Sequence, residues 1–313
     1  IGLGIPAEPL FRSSYDFTAG MSNVKALSGA TTEEFQKLTE TAETLGATTK
    51  FTATEASEGM QYLAMAGWKT NDIIAAMPGL LDLAAAGGTN LGTAADIVSD
   101  VMTAMGMSAD EASRAADIFA RTATGSNTTI ENLGESLKYA APAAHAFGLS
   151  LSEAATITGM MANAGVKGSM AGTALRASLL EMASPSKKAS EAMKKLNLTF
   201  ADSSGKMKDM KTIIKDLSVA FGGLNEQEKL SYAEDLFGTR GSSAWLAVIE
   251  QGADEFDRLF ESIDKSNGAA KEMANTQLDN LAGDVTLLQS AVDGMKISVM
   301  KELDPFLRKG VQW

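Results

Sequence analysis

The residue types that carry out most enzymatic chemistry are scarce in this chain of 313 residues. It has no cysteine, which excludes thiolate nucleophiles, disulfides and cysteine metal sites. Its one histidine, His145, lies in a run of small residues, and a His-Glu-x-x-His zinc motif needs two. We therefore expect His145 to pack in a helix or loop, and we predict no catalytic residue, no cofactor and no metal.

The glycine motifs that bind nucleotides or present a serine nucleophile are also missing. The chain contains neither a Gly-x-x-x-x-Gly-Lys-[Ser/Thr] loop nor a Gly-x-Ser-x-Gly elbow. The segment from Gly2 to Ala7 matches a dinucleotide fingerprint only superficially, because Pro6 and Pro9 oppose the helix that must follow. Most carboxylates fall in the first turns of predicted helices, where they complement the helix dipole. We predict that this chain is not an enzyme.

Charge makes nucleic acid a poor partner, since the net charge of −12 repels phosphates. One stretch, residues 184–216, departs from this with eight lysines against four acids. It is either a solvated lysine face or a surface for an acidic partner.

The chain shows neither a signal peptide nor an uninterrupted apolar stretch of about eighteen residues, which is the length of a membrane span. It begins at Ile1 rather than at Met, so we expect it to be a piece of a longer protein.

The predicted elements that could position a functional surface are helices. The sequence pattern of these helices occurs twice along the chain. The motif Gly-Leu-Leu at 79–81 recurs as Gly-Met-Met at 159–161, and Gly-Thr-Ala at 92–94 recurs at 172–174. Glu58 and Tyr62 recur as Glu135 and Tyr139. A duplicated helical unit is typical of scaffolds. Apolar residues at 45% with aromatics at 6% favour helices that pack through small side chains.

Helix starts are marked by Ser or Thr three residues before Glu, the spacing of a capping box. The predicted boxes are Thr31/Glu34, Thr52/Glu55, Ser108/Glu111, Thr128/Glu131 and Ser150/Glu153. They predict four helices in each unit, near 33–45, 53–67, 72–86, 91–105 and near 109–124, 129–146, 151–164, 169–182. Gly92 and Gly172 fall inside helices, which predicts a close backbone crossing at each.

After Pro185 the pattern changes. Residues 196–200 and 206–208 around a Ser-Gly turn predict one small β-hairpin. A helix near 210–221 follows, Asn225 and Glu228 open another that ends near Gly238, and two short helices are predicted at 242–251 and 254–265. One long helix is predicted from about Gly268 towards Pro305.

The last helix carries a heptad pattern, with apolar residues spaced alternately three and four apart. Two interpretations remain open: the seam packs on its own core, or it joins copies of the chain as a dimer or trimer. The seam consists of Leu278, Leu281, Val285, Leu288, Val292, Met295 and Val299.

The predicted fold is all-α: duplicated four-helix units, then a small β-hairpin insertion and a long C-terminal helix. The predicted segments are an N-terminal segment (1–30), helical unit one (31–107), helical unit two (108–184), a basic segment with the hairpin and a helix (185–224), and C-terminal helices with the seam at 278–299 (225–313).

Ordered blocks along the chain resemble the core region of phage tail tape measure proteins. The blocks are VKALSGAT at 24–31, LGATTKFT at 45–52, YLAMAGW at 62–68, MPGLLDLA at 77–84, Gly87-Gly88, GTAAD at 92–96, NAGVKGS at 163–169, GTALR at 172–176, Ala183-Ser-Pro185, Leu236-Phe-Gly238 and NLAGD at 280–284. The resemblance covers about residues 15–305 of this chain.

That resemblance implies a structural protein of the virion, assembled in the host cytoplasm and lying inside the phage tail. Such proteins set tail length during assembly and leave ahead of the DNA, and their partners are tail tube and tail tip proteins. Two alternatives stay open: a membrane-inserting channel component with transient host membrane contact, and part of a cell-wall-degrading tail protein.

Overall fold

The computed structural model describes residues 7–311, with side chains from 12 to 303. These residues form an all-α fold, as predicted. The helices are α1 (Ala7–Ser28), α2 (Thr32–Thr48), α3 (Ala53–Met65), α4 (Thr70–Gly87), α5 (Leu91–Ala104), a 3-10 turn (Ala109–Glu111), α6 (Ala112–Gly125), α7 (Ile130–Phe147), α8 (Leu151–Asn163), α9 (Ser169–Ala183), α10 (Lys187–Leu196), α11 (Met210–Phe221), α12 (Glu226–Asp264), α13 (Ala269–Leu278) and α14 (Leu281–Val311).

The capping signals place most helix starts correctly. Both halves of the box are formed at Thr31, Thr52 and Ser150, and also at Asn225. The predicted box at Thr128 is wrong by one residue, because Thr129 caps α7 by accepting a hydrogen bond from the Asn132 N–H.

The chain divides into two compact units, and unit 1 is discontinuous in sequence. Unit 1 consists of the residues up to Ser99, Ala109–Ser113, and the residues from Lys271 onward. In it α1 packs on α3, α2 packs on α3, and α14 packs on α1 and α2. Its core contains Phe17 and Met21 from α1, and Leu38 from α2.

Unit 2 consists of Asp100–Ser108 and Arg114–Ala270. In it α7 packs on α9, and α12 packs on α8, α9, α10 and α11. Trp245 is completely buried and stacks on Phe237, with ring centroids 5.0 Å apart. The two compact units follow different boundaries from the predicted segments, and the duplication of 31–107 in 108–184 stays a prediction.

Helix α12 consists of three helical segments. Gly238 (φ 71°) and Gly252 (φ 81°) have backbone angles outside the helical region and kink the chain. Only glycine adopts such angles without strain, because other residues have a Cβ that clashes. The three helices predicted from Asn225, at 242–251 and at 254–265 are therefore confirmed.

The predicted β-hairpin at 196–208 is wrong. Leu196 ends α10, and the rest of the segment is a tight turn with a single antiparallel bridge between Ala201 and Met207. The turn is held by Asp202, whose Oδ1 accepts from the Ser204 N–H at 2.8 Å and the Lys206 N–H at 3.1 Å. An Asp side chain that accepts hydrogen bonds from backbone N–H groups just after it favours a turn. Too few residues on either side of this turn are paired to form two β-strands.

The predicted single helix from Gly268 to Pro305 is broken at Asp279 and Asn280, which separate α13 from α14. The Asn280 side chain accepts from the Gly283 N–H at 3.0 Å and so caps α14. A Cβ on Gly283 would lie 2.1 Å from the Leu278 carbonyl oxygen, so the bend requires glycine there.

Sequence reasoning missed α1 and α10. In α1 the signal was present, because the buried residues Phe17, Met21 and Val24 follow helical spacing. In α10, Ser186 caps the helix and only Ala189 and Ala192 are buried, so its apolar stripe is too weak to be recognised.

Candidate interaction surface

The one histidine of the chain, His145, is exposed in the last turn of α7, where its ring lies beside Gly106. Over the described part of the chain, no group of three or more His, Asp or Glu side chains could hold a metal ion.

The main polar cluster of unit 2 holds the chain between α12 and α13. The Arg114 guanidinium pairs with the Asp264 carboxylate at 2.9 Å and donates to the Asp264 carbonyl oxygen. Ser152 Oγ donates to the same carboxylate at 2.9 Å. The buried Asp117 carboxylate accepts from the N–H groups of Gly268 at 2.7 Å and Ala270 at 2.9 Å. Arg114 and Asp117 thus hold two adjacent stretches of the chain, at Asp264 and at Gly268–Ala270.

Sequence reasoning missed this cluster. Its members are up to 153 residues apart, and neither Arg114 nor Asp117 belongs to a local motif.

The heptad seam lies on the solvent-facing side of α14. Leu281, Leu288 and Met295 are 78%, 65% and 68% exposed. The other members of the seam on α14 are also exposed: Val285, Val292 and Val299. The first predicted member, Leu278, ends α13 and is half-buried, so the break removes it from the seam. We refer to the six residues of α14 as the seam.

The opposite side of α14 attaches the helix to unit 1. Gly283, Ser290 and Ile297 are seven residues apart and all buried. The Ser290 hydroxyl lies 2.9 Å from the Gly46 carbonyl oxygen and 2.6 Å from that of Phe51. Lys301 adds an ion pair to Glu43 at 2.9 Å. The helix is therefore fixed by Gly283 and Ser290 in its first half and by the apolar residues Ile297 and Met300 further on, while the seam residues stay exposed.

This division of α14 argues against the first interpretation of the heptad for the residues described, while the joining of copies through the seam stays a prediction. The seam does not pack on the core of its own unit, because that role belongs to the face seven residues apart that begins at Gly283. The seven-residue spacing of Gly283, Ser290 and Ile297 was available in the sequence, but only Ile297 among the three carries a hydrophobic signal.

Beside the start of α14 lies an open groove of about 730 Å³ in unit 1. Phe51, Asp82 and Asp279 are among its lining residues. Lys50 also lines it, with Nζ 4.8 Å from the centre of the Phe51 ring, and desolvation by burial lowers the pKa of this lysine. The groove mixes charges of both signs.

The basic segment is partly neutralised within unit 2. Lys208 pairs with Asp216 at 2.8 Å, and Lys211 pairs with Asp257, whose hydrogen bond and charge raise the pKa of that lysine. The lysines of α10 stand on both ends of a short amphipathic helix. This pattern favours a solvated lysine face.

Among helices of the described residues, none combines the length and the apolar character that a bilayer crossing requires.

Three comparisons with known proteins bear on function. A family model described as phage-related minor tail protein matches residues 39–238. The tape measure protein of Pneumococcus phage Dp-1 is 40% identical over 94% of this chain. The probable tape measure protein of Escherichia phage P2 is 30% identical over 99% of it. The chain spans 26% and 40% of the lengths of these relatives. No solved structure matches the chain.

Proposed function

The chain belongs to the family of phage-related minor tail proteins, and from this premise we propose that it is the compact core of a tape measure protein. In this role it lies inside the phage tail, is assembled in the host cytoplasm, takes part in setting tail length and leaves ahead of the DNA. The observation that carries the proposal is the 40% identity to a tape measure protein along nearly the whole chain.

The described residues support a structural role over a catalytic one. Buried Asp117 and Ser152 are used to hold the chain beside Arg114, and the apolar seam on α14 is exposed to solvent. We propose that the seam joins copies of this chain, as a dimer or trimer, and that other surfaces meet the tail tube and tail tip proteins.

The test uses the phage that encodes this chain. Without the gene, we expect tails to be absent or of irregular length in electron micrographs, with normal tails restored when the gene is supplied in trans. Tails of normal, uniform length without this protein would overturn the proposed role.

A second measurement addresses release. Antibodies against this chain should detect it in filled virions and not in virions that have ejected their DNA. Retention in emptied virions would contradict release while leaving the assembly role in place.

Two rival functions have their own assays. A membrane-inserting channel component should float with liposomes, whereas we expect this chain to stay at the bottom of the gradient. A cell-wall-degrading protein should clear a suspension of host cell walls, and we expect no change in turbidity. A positive result in either assay would replace the structural proposal.

A further inference from the structure

The loop between α12 and α13 contains two neighbouring residues that can react with each other. Asn267-Gly268 is the one Asn-Gly pair in the sequence, and the Asn267 side chain is exposed to solvent. Because glycine has no side chain, its backbone nitrogen is unshielded and can attack the side-chain carbonyl carbon of a preceding asparagine. This reactivity is one reason why asparagine is among the thermolabile residues of proteins.

The reaction is a deamidation, and water is its only co-reactant. The Gly268 nitrogen bonds to Cγ of Asn267, and the side-chain NH2 leaves as ammonia together with the proton of the Gly268 N–H. Water then opens the resulting five-membered imide at one of its two carbonyl carbons, which gives either aspartate or isoaspartate. No oxidant, reductant or metal takes part in any step.

The local fold keeps the two reacting groups apart. The Ala269 N–H donates to the Ser266 carbonyl oxygen at 3.0 Å, Gly268 has a φ of 79°, and Asn267 does not have a positive φ. These features define a type II turn, which has glycine at its third position. Such a turn has a ψ of about +120° at its second residue, which turns the next nitrogen away from the Cβ that it must eclipse to close the imide ring.

Asp117 fixes the turn at the atom that would attack. Its buried carboxylate accepts a hydrogen bond from the Gly268 N–H at 2.7 Å and another from the Ala270 N–H at 2.9 Å. The peptide plane between Asn267 and Gly268 cannot rotate into the reactive geometry until the first of these bonds breaks. Breaking it is costly, because a buried carboxylate and its donor then lose their partners.

We propose that Asn267 is a deamidation site, that Asp117 keeps it closed in the folded chain, and that it opens when the turn detaches. Asp117 acts only through Gly268, so it is a positioning residue. The change is one-way, because the imide nitrogen carries no hydrogen and isoaspartate inserts its Cβ into the backbone, which displaces the Gly268 N–H from Asp117. One long-lived opening therefore removes a bond at the start of α13 permanently.

The first experiment follows deamidation of the purified chain by peptide mass spectrometry. Trypsin cleaves after Lys265 and Lys271, which isolates residues 266–271 with Asn267 as their one asparagine. Replacement of NH2 by OH raises the mass of this peptide, and chromatography separates aspartate from isoaspartate. Asn267 should react about tenfold or more slowly in the folded chain than in the chain unfolded by urea. Equal rates would overturn protection by the fold.

The second experiment separates the bond to Asp117 from general stability. Asp117→Ala should raise the rate in the folded chain about tenfold, and Asp117→Asn, which keeps one acceptor oxygen, should raise it less. Gly172→Ala is the matched control, because its clash with the Ser136 carbonyl oxygen destabilises the fold and leaves the Asp117 bonds in place. Circular dichroism establishes that each variant folds, and Asp117→Asn carries the comparison if Asp117→Ala does not.

Three results of this comparison would overturn the role of Asp117. An equal rise in Gly172→Ala would mean that global unfolding controls the reaction. An unchanged rate in the Asp117 variants would mean that the turn alone protects Asn267. A slower reaction in these variants would mean that the carboxylate promotes the attack by drawing on the Gly268 proton.

The third experiment tests whether the change is one-way. The chain containing isoaspartate, prepared in urea and refolded, should lose hydrogen-exchange protection at the start of α13. Asn267→Asp, treated in the same way, adds the charge without the extra backbone atom and should keep that protection. Unchanged protection in the isoaspartate chain would overturn the permanent release of the turn. This chemistry does not depend on the role in the tail, so its failure would leave the tail-length test unaffected.

Discussion

At the scale of single residues, a buried carboxylate holds the start of a helix. Asp117 illustrates this, because its carboxylate satisfies two N–H groups at the start of α13 and is almost completely buried. A buried acceptor of this kind is costly to remove, since the N–H groups then lose their partners without gaining water.

We therefore expect Asp117→Ala to lower the free energy of unfolding by about 1–3 kcal/mol. The measurement is urea unfolding followed by circular dichroism. Asp110→Ala, at an exposed position, should change the stability by less than about 0.5 kcal/mol. Equal effects of the two substitutions would contradict the capping role of Asp117.

Close helix contact makes a second residue-scale prediction. A Cβ on Gly172 would lie 2.2 Å from the Ser136 carbonyl oxygen, which is backbone and cannot move aside. A Cβ on Gly92 would instead meet the ring of Tyr62 at 2.7 Å, and that side chain can rotate. The predicted close backbone crossing is thus confirmed for Gly172, while at Gly92 the neighbour is a side chain.

Gly172→Ala should accordingly destabilise the protein by about 1–3 kcal/mol, and Gly92→Ala by less. Gly223→Ala has nothing within 4 Å and serves as the control. Thermal unfolding of the three variants gives the order. A smaller effect at Gly172 than at Gly92 would show that the backbone contact is softer than its geometry indicates.

At the scale of elements, capping boxes tie helix stability to pH. The backbone and side-chain hydrogen bonds of Thr31 lower the pKa of Glu34, at the start of α2. A carboxyl whose pKa is lower in the folded state stabilises the fold above its unfolded pKa, about 4.3, and loses that contribution as the pH falls through the folded value.

Glu34→Gln keeps an oxygen that accepts the hydrogen bond but removes the charge. The variant should be less stable than the parent at pH 7, and the difference should shrink as the pH falls through the lowered folded pKa of Glu34, because the parent's carboxyl then also becomes neutral. Glu33→Gln removes a charge from the same turn without a capping bond, so its pH dependence should be weaker. Melting temperatures across this pH range provide the check. A difference that does not shrink as the solution is made more acidic, for as long as the fold persists, would rule out ionisation of Glu34 as the cause.

At the scale of the whole molecule, unit 1 joins helices from distant parts of the sequence, since α14 packs on α1 and α2. Ser290 lies 244 residues from Gly46, whose carbonyl oxygen it contacts. Unit 2 is formed by Asp100–Ser108 and Arg114–Ala270, and its core around Trp245 contains no part of α14.

Removal of residues 281–313 should therefore loosen unit 1 selectively. Hydrogen exchange measured by mass spectrometry should show lost protection in α1 and α2, on which α14 packs, with protection in α7 and α9 retained. Unchanged exchange in α1 and α2 would mean that α14 is an appendage rather than part of the unit.

The sequence by itself determined the helical class and most helix bounds, because these depend on local signals: capping boxes, glycine stops and apolar spacing over a few turns. The family was indicated by the resemblance of ordered sequence blocks. Local signals also gave wrong predictions at two turns, one in the predicted hairpin and one in the predicted last helix. Asp202 closes a turn on itself instead of starting a hairpin, and Asn280 ends one helix and caps the next.

Only the tertiary structure decided which face of α14 is buried. The apolar seam and the face of Gly283, Ser290 and Ile297 both repeat every seven residues, and hydrophobicity alone favours burying the first. Small residues allow α14 to approach α2 closely, and the Ser290 hydroxyl lies within hydrogen-bond distance of two carbonyl oxygens 239 and 244 residues away. That contact between distant segments leaves the leucines and valines of the seam facing solvent.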